Sequence, residues 1–311
     1  MAINRASIAK ELLPGLNAVF GLEYGDVDNE HAPLFDVENS DRAFEEEVLF
    51  TGFGTAPVKN EGAAVQYDDA QESYTARYTH DTISLAFSVT EEAMEDNLYD
   101  TFAKLRARGL ARAMANTKQV KAADVFNNGF SASYGGGDGQ PLFSDSHPVI
   151  DGGVQDNDLD ATDLSEASLE SALITISKAQ DDRGILIGIR AESLHIPPDL
   201  AFTADQILNS ALSTTVTTQG TDGVTNVNDI NAIRNQGLVP GGFFVNHRFT
   251  DTNAWFLKTD APNGTKMFVR APLQTKMEPD FDTGNLRFKA RERYSFGWSD
   301  WRGFYGASGS S

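Results

Sequence analysis

The stretch TEEAMEDNLYDTFAKLRARGLARAMANTKQVKAADVFNN, residues 90 to 128, has no proline, one glycine and an abundance of Ala, Leu, Glu, Lys and Arg. These are strong helix formers, and their density predicts one continuous helix. Thr90 is a suitable N-cap, and Glu91, Glu92, Glu95 and Asp96 sit where the helix dipole favours anions. The cations from Lys104 to Lys121 sit toward the other end. At about 1.5 Å per residue the rod is roughly 55 Å long, well beyond an ordinary globular helix. Met94, Leu98, Phe102 and Leu105 give it a narrow apolar stripe. A rod of this length needs a body to lie against, and its setting, between a polar β segment and a glycine-rich loop, reads as a scaffold rather than the wall of a pocket.

Upstream, residues 46 to 56 (EEVLFTGFGTA) and 74 to 89 (YTARYTHDTISLAFSV) alternate as strands do, with Tyr74, Ala76 and Tyr78 on one side and then Ile83, Leu85, Phe87 and Val89. With the polar PVKNEGAAVQYDDAQES between them they predict a long β-hairpin with a mobile tip. A lone two-stranded ribbon is marginal in water, so a projecting one calls for support from another subunit. From Asp26 to Glu47 there are nine acidic residues against the single Arg42, which argues for an extended segment ordered by lying on something basic. Ile8, Leu12, Leu16, Val19 and Phe20, interrupted by Pro14, predict a short kinked amphipathic helix over 5 to 20.

Downstream, GGGDGQPLFSDSHP (135 to 148) lacks the Lys-Ser or Lys-Thr of a phosphate loop and reads as an ordered turn. Asp156, Asp158 and Asp160 imitate the start of a calcium loop, but Ala161 and Ala167 stand where such a loop needs glycine and glutamate. An amphipathic helix is predicted over 165 to 181 with Leu169, Leu173 and Ile176 inward, followed by a buried strand in RGILIGI and a short helix from about Thr203. Residues 213 to 231 read as an exposed loop, with strands again near 238 to 258. FVRAPLQTKM and LRFKARERYSF, joined by EPDFDTGN, predict a closing strand pair. Period two puts Leu286, Phe288, Ala290, Tyr294 and Phe296 on one face and Arg287, Lys289, Arg291 and Arg293 on the other. In so acidic a chain, that basic stripe marks an electrostatic partner.

The chain has 311 residues, 40% hydrophobic, and a formal net charge of -20, which repels nucleic-acid phosphates. There is no cysteine, so disulfides, thiolate metal sites and cysteine nucleophiles are excluded together. No run of about 18 apolar residues is present, so no membrane partner is expected, and the N-terminus does not read as a signal peptide. His31, His80, His147, His195 and His247 are isolated, with no metal spacing, and no nucleophile elbow appears. Trp255, Trp298 and Trp301 read as core or interface anchors. No catalytic residues, metal or cofactor are expected.

In order and spacing, the hairpin, the long helix, DGQPLFSDSHP, PPDLAFTADQIL, NAWFLKTD and RERYSFGWSDWRGFYG resemble the major capsid proteins of tailed bacteriophages. The resemblance covers nearly the whole chain. It implies the α+β Hong Kong 97-like fold, with an N-terminal arm (1–46), an extended hairpin or E-loop (47–88), a P-domain (89–162 and 271–296) around the spine helix, and an axial A-domain (163–270 and 297–311). It also implies a shell subunit forming hexamers and pentamers of an icosahedral virion, assembled in the host cytoplasm around double-stranded DNA bound without sequence specificity, with a portal protein. No long coiled coil precedes the arm, which implies a separate scaffolding protein. The type member joins an E-loop lysine to a neighbour's asparagine; Lys59 is the one lysine in the hairpin tip, though nothing identifies the asparagine. The inter-subunit contacts expected are Glu45, Glu46, Glu47, Lys59, Glu61, Asp68 and Asp69 of the hairpin and Arg287, Lys289, Arg291 and Arg293 of the basic strand, with the acidic arm and hairpin received by a neighbour's basic residues. An encapsulin-like nanocompartment shell is the alternative, and a β-rich hydrolase a more distant one.

Overall fold

The computed structural model describes residues 5–62, 64–90, 92, 99–150, 152–212, 230–280 and 282–310. Along the chain come α1 (Arg5–Gly25), β1 (Asp36–Asn39), β2 (Phe44–Phe50), β3 (Glu72–Thr79), β4 (Asp81–Val89) and the spine helix α2 (Tyr99–Asn127). The short strands β5 (His147–Pro148) and β6 (Val154–Gln155) follow, then α3 (Glu166–Ser177), β7 (Ala191–Ile196), α4 (Ala201–Asn209) and α5 (Ala232–Gln236). The chain closes with β8 (Phe243–Val245), β9 (Trp255–Thr259), β10 (Thr265–Pro279), β11 (Leu286–Trp298) and β12 (Phe304–Ala307).

Two four-stranded sheets organise these elements. One runs β1-β10-β11-β4, with β1 parallel to β10 and the rest antiparallel. The other runs β12-β9-β7-β8, with only β7 and β8 parallel. β2 and β3 form a separate two-stranded ladder.

The spine helix presents a face of small side chains to its neighbours. Ala103, Ala107, Ala111 and Ala115 recur every four residues and are buried with Leu110 and Met114. Small side chains at that spacing let α1 lie close, with Leu16 and Phe20 against this face and Phe288 and Ala290 of β11 beneath. Leu105, expected inside, is 63% exposed, because the helix turns its alanine row rather than its leucine row inward. Glu91 and residues 93 to 98, and with them Met94 and Leu98, lie outside the described residues, as does the side chain of Phe102. Helix α1 runs unbroken through Pro14 to Gly25, longer than the kinked helix expected.

Further along, Phe126 joins the two bodies of the molecule. Its ring meets Phe35, Phe143, Phe249, Phe256 and Phe304 at centroid separations of 5.8, 6.3, 5.9, 5.3 and 4.8 Å. The second body closes over Leu169, Ile176, Leu194, Ile207, Trp255 and Leu257. Ser165 caps α3 by accepting from the Ser168 amide. Gly264 and Gly303 touch backbone to backbone, and a Cβ on Gly303 would lie 2.5 Å from the Gly264 Cα, so both positions need glycine.

Two strand expectations change. The segment 74–89 is not one arm of a hairpin: it breaks at His80, β3 stays in the ladder with β2, and β4 leaves to pair with β11. RGILIGI forms no strand, with Leu186 62% and Ile187 43% exposed, and the strand begins at Ala191. Residues 213–229 of the expected loop lie outside the described residues.

Candidate assembly surfaces

The acidic segment does lie on basic groups, and they belong to its own chain. Glu30 pairs with Arg248 and, at 2.8 Å, with His247. Asp36 lies 3.6 Å from Lys258, and the buried Lys266 takes Glu38 at 2.9 Å and Glu47 at 2.6 Å. Those two carboxylates outweigh burial and hold the Lys266 ammonium above the usual lysine range, although burial is the largest single influence and acts the other way. Glu47 also accepts from the Ser299 hydroxyl.

The other hairpin candidates divide. Glu45 accepts from Ser40 at 2.7 Å, and Glu46 faces Arg77 across the ladder at 3.8 Å. Asp68 accepts from the Gly54 amide at 2.6 Å and from Arg183 at 2.8 Å, and these donors hold its carboxyl below the usual range. The Asp69 carbonyl accepts from Arg183 at 2.5 Å. Lys59 and Glu61 stand exposed, with no hydrogen bond or ion pair among the described residues. The same segment exposes four large apolar side chains, Phe50 (63%), Phe53 (64%), Val58 (92%) and Tyr67 (93%). Sequence reading missed Arg183, which ties the tip to the second body from a turn with no charge pattern to mark it.

On β11 the expected alternation holds: Leu286, Phe288, Ala290 and Tyr294 are buried while Arg287, Lys289 and Arg291 are exposed and Arg293 is half-buried. One exception went unread. Glu292 sits on the apolar side, 2% exposed, paired with Lys118 of the spine helix at 2.7 Å and receiving the Tyr24 hydroxyl at 3.2 Å. It therefore ties α1, α2 and the sheet together. On the outer side, Arg287 pairs with Asp280 at 2.5 Å. Lys289, Arg291 and Arg293 have no ion pair among the described residues, and Lys289 lies directly across from Lys276. A groove of about 430 Å³ runs between them, lined by Gln274, Thr275, Lys276, Lys289 and Arg291.

The buried histidines and their polar partners are built into the fold. His147 stacks on Trp301 at 4.4 Å and bridges Asp138 (2.6 Å) and Asn157 (3.0 Å). The Asn157 amide nitrogen donates to the carbonyls of Leu142, Trp301 and Phe304, so this constellation clamps the LFSDSHP turn to the last strand. Ser40 touches His80 and Ser193 touches His195, each at 2.9 Å, but all four are buried and neither imidazole has a carboxylate partner. Burial, with Lys258 nearby, pushes His195 down to about 3. Among the described residues no group of three His, Asp or Glu could hold a metal, and no helix is long and apolar enough to cross a membrane.

Comparison with known structures agrees with this architecture. A virus-like particle from Pyrococcus furiosus matches with a TM-score of 0.53 at 10% identity, over 94% of this chain and 98% of that one. The capsid of an empty GTA particle matches at 0.54 and 13% identity, over 92% and 91%. The procapsid of bacteriophage JBD30 matches at 0.51 and 14%, over 98% and 76%. At these identities the likeness is one of fold. No curated protein matches the chain by sequence. The family model described as "Phage capsid protein" matches residues 73–307, which takes in the strand leaving the hairpin, the spine helix, both sheets and the basic strand. The chain belongs to the phage capsid protein family.

Proposed function

We propose that this capsid protein is the major head subunit of a tailed phage and that it closes with copies of itself, as hexamers and pentamers, into an icosahedral shell around double-stranded DNA. The observation that carries the reading is the basic face of β11, where Lys289, Arg291 and Arg293 have no ion pair among the described residues, in a chain of net charge -20, together with the exposed apolar groups between β2 and β3. Both are surfaces a lone subunit leaves unused and a neighbour of the same sequence can cover. On this reading the arm is 1–46 and the E-loop 47–88, the P-domain surrounds the spine helix, and the A-domain is the body built on β7 and β9. Glu61 at the tip meets Lys289, Arg291 and Arg293 of a neighbour, Lys59 touches that neighbour away from these cations, and Glu45, Glu46, Glu47, Asp68, Asp69 and Arg287 exchange or extend contacts they already make. A separate scaffolding protein and a portal protein complete assembly in the host cytoplasm, and the acidic subunit holds packaged DNA without gripping its phosphates.

Contacts of roughly 1,000 Å² or more suffice for specific association, with charge fixing register more than affinity. An encapsulin-like shell is not favoured, since the family model is that of phage capsid proteins and phage and GTA particles share the fold. Replacing Arg287, Arg291 and Arg293 by glutamate should abolish shells in negative-stain micrographs while the subunit keeps its circular dichroism and melting temperature. Normal shells from that variant would remove the charge pairing from the mechanism.

A further inference from the structure

We propose that Arg270 and Arg293 form a carboxylate-binding fork that an acidic side chain of a second copy of the chain fills, an inference that rests on the shell reading above. The ladder between β10 and β11 shifts register here: Val269 faces Tyr294 and Ala271 faces Arg293, so Arg270 is the residue that the irregularity brings beside Arg293. The Nε atoms of both arginines are buried, and among the described residues they have no acceptor and neither guanidinium has an ion pair. Two neighbouring cations with unmatched buried donors are costly in a subunit that stands alone.

The chain does not lack the means to satisfy a buried arginine. Arg302 is given Asp182 at 2.6 Å, Asp300 at 3.3 Å, Gln155 at 2.9 Å, the Gln180 carbonyl at 3.0 Å and the face of Trp301. Around Arg270 and Arg293 it supplies nothing comparable. Glu45 is near, but it takes the Ser40 hydroxyl, and the ring nitrogens of His80 face the hydroxyls of Ser40 and Ser295. Burial and then the charge of Arg293, with Arg270 adding to it, keep that imidazole below its usual range, so the histidine contributes no anion and no competing cation.

A planar fork of N–H donors is matched by a carboxylate, which two guanidiniums can hold by paired bonds. The same face continues through Arg291 and Lys289, which widens the target along β11 without changing its sign. The source favoured is another copy, because each carries 45 acidic residues and a shell sets copies side by side. A nucleic-acid phosphate is the other oxyanion available, and a surface this acidic repels the polymer that bears it.

Light scattering of purified chain under shell-forming conditions tests this, comparing the wild type, Arg270→Gln with Arg293→Gln, and Arg234→Gln as a charge-loss control elsewhere. The double variant should assemble about tenfold more slowly although its melting temperature is no lower than the wild type's, and the control should match the wild type. Shells from the double variant at the wild-type rate would overturn the fork. If the double variant folds poorly, Arg270→Lys with Arg293→Lys keeps the charge and removes the fork. Shells of that variant, built from mixed isotope-labelled and unlabelled chains and treated with carbodiimide, should show the new amine at 293 joined to an Asp or Glu of a different copy. Cross-links confined to single copies, or loss of double-stranded DNA binding with assembly unaffected, would overturn it. A wild type that forms no shells either alone or together with its scaffolding protein would instead bring down the shell reading itself.

Discussion

Two charged regions of this subunit are built on opposite plans. The acidic segment from Glu30 to Glu47 finds Arg248, His247, Lys258 and Lys266 within its own chain, and Lys266 is buried while doing so. The β10–β11 pair gathers Arg270, Lys289, Arg291 and Arg293, gives none of them an ion pair among the described residues, and sets Lys276 across from Lys289. Where charge serves the fold it is paired and shielded. Where it is left over it lines the β10–β11 face, and that difference separates the surface that stabilises the subunit from the one proposed to meet a neighbour.

The largest effect should come where a matched charge is most deeply buried. Lys118→Ala leaves Glu292 uncompensated between α1, α2 and β11, and should lower the unfolding free energy by about 3 kcal/mol in urea titrations. A change below a quarter of that would mean the pair is decoration rather than the joint of the first body. Lys266→Ala strips a cation from Glu38 and Glu47, which are themselves partly exposed, so the loss should be smaller, about 2 kcal/mol. Its pH signature has a definite sign. The Lys266 ammonium is held above its usual range, so its contribution is complete at neutral pH and disappears only as pH rises through the raised value.

His195 sharpens the same comparison from the other side, as a group the interior tolerates only when uncharged. Its folded value is about 3 against about 6.5 unfolded, so below pH 6.5 the unfolded chain takes up a proton that the fold refuses. Stability should therefore fall by about 1.4 kcal/mol for each pH unit between roughly 6.5 and 3 from this residue alone. His195→Gln should flatten that part of the pH profile of the urea midpoint, and an identical slope in wild type and variant would refute the assignment.

How far the sequence could be read depends on whether the deciding physics is local. The spine helix and the β10–β11 pair were legible because helix formers and period-two alternation act over neighbouring residues, and the basic stripe followed from the same period. Leu105 was misread because the inward row of α2 is chosen by how near α1 can approach, which favours Ala103, Ala107 and Ala111 over larger side chains. Glu292 was hidden because its partner Lys118 lies in a different element, and Arg183 because its target is a loop more than 100 positions away. The break at His80 could not be seen from alternation alone, since both β3 and β4 alternate and only pairing with different neighbours divides them.

The smallest effect is the most discriminating, because it should have opposite signs in the subunit and in the shell. Lys289 and Lys276 face one another on adjacent strands, and like charges directly opposite destabilise a ladder by a few tenths of a kcal/mol up to about 1. Glu278 relieves part of this through its pairing with Lys276, which holds its own carboxyl below the usual range. Lys289→Gln should therefore leave the isolated subunit as stable as before or more so, by about 0.5 kcal/mol in urea, while raising the concentration needed for shells to form. A variant that weakens the subunit would show that Lys289 is matched in a way the neighbouring residues do not reveal, and the contrast between the two charged regions would lose its footing. One that strengthens the subunit and hinders the shell would mark this lysine as kept for the neighbour at the subunit's own expense.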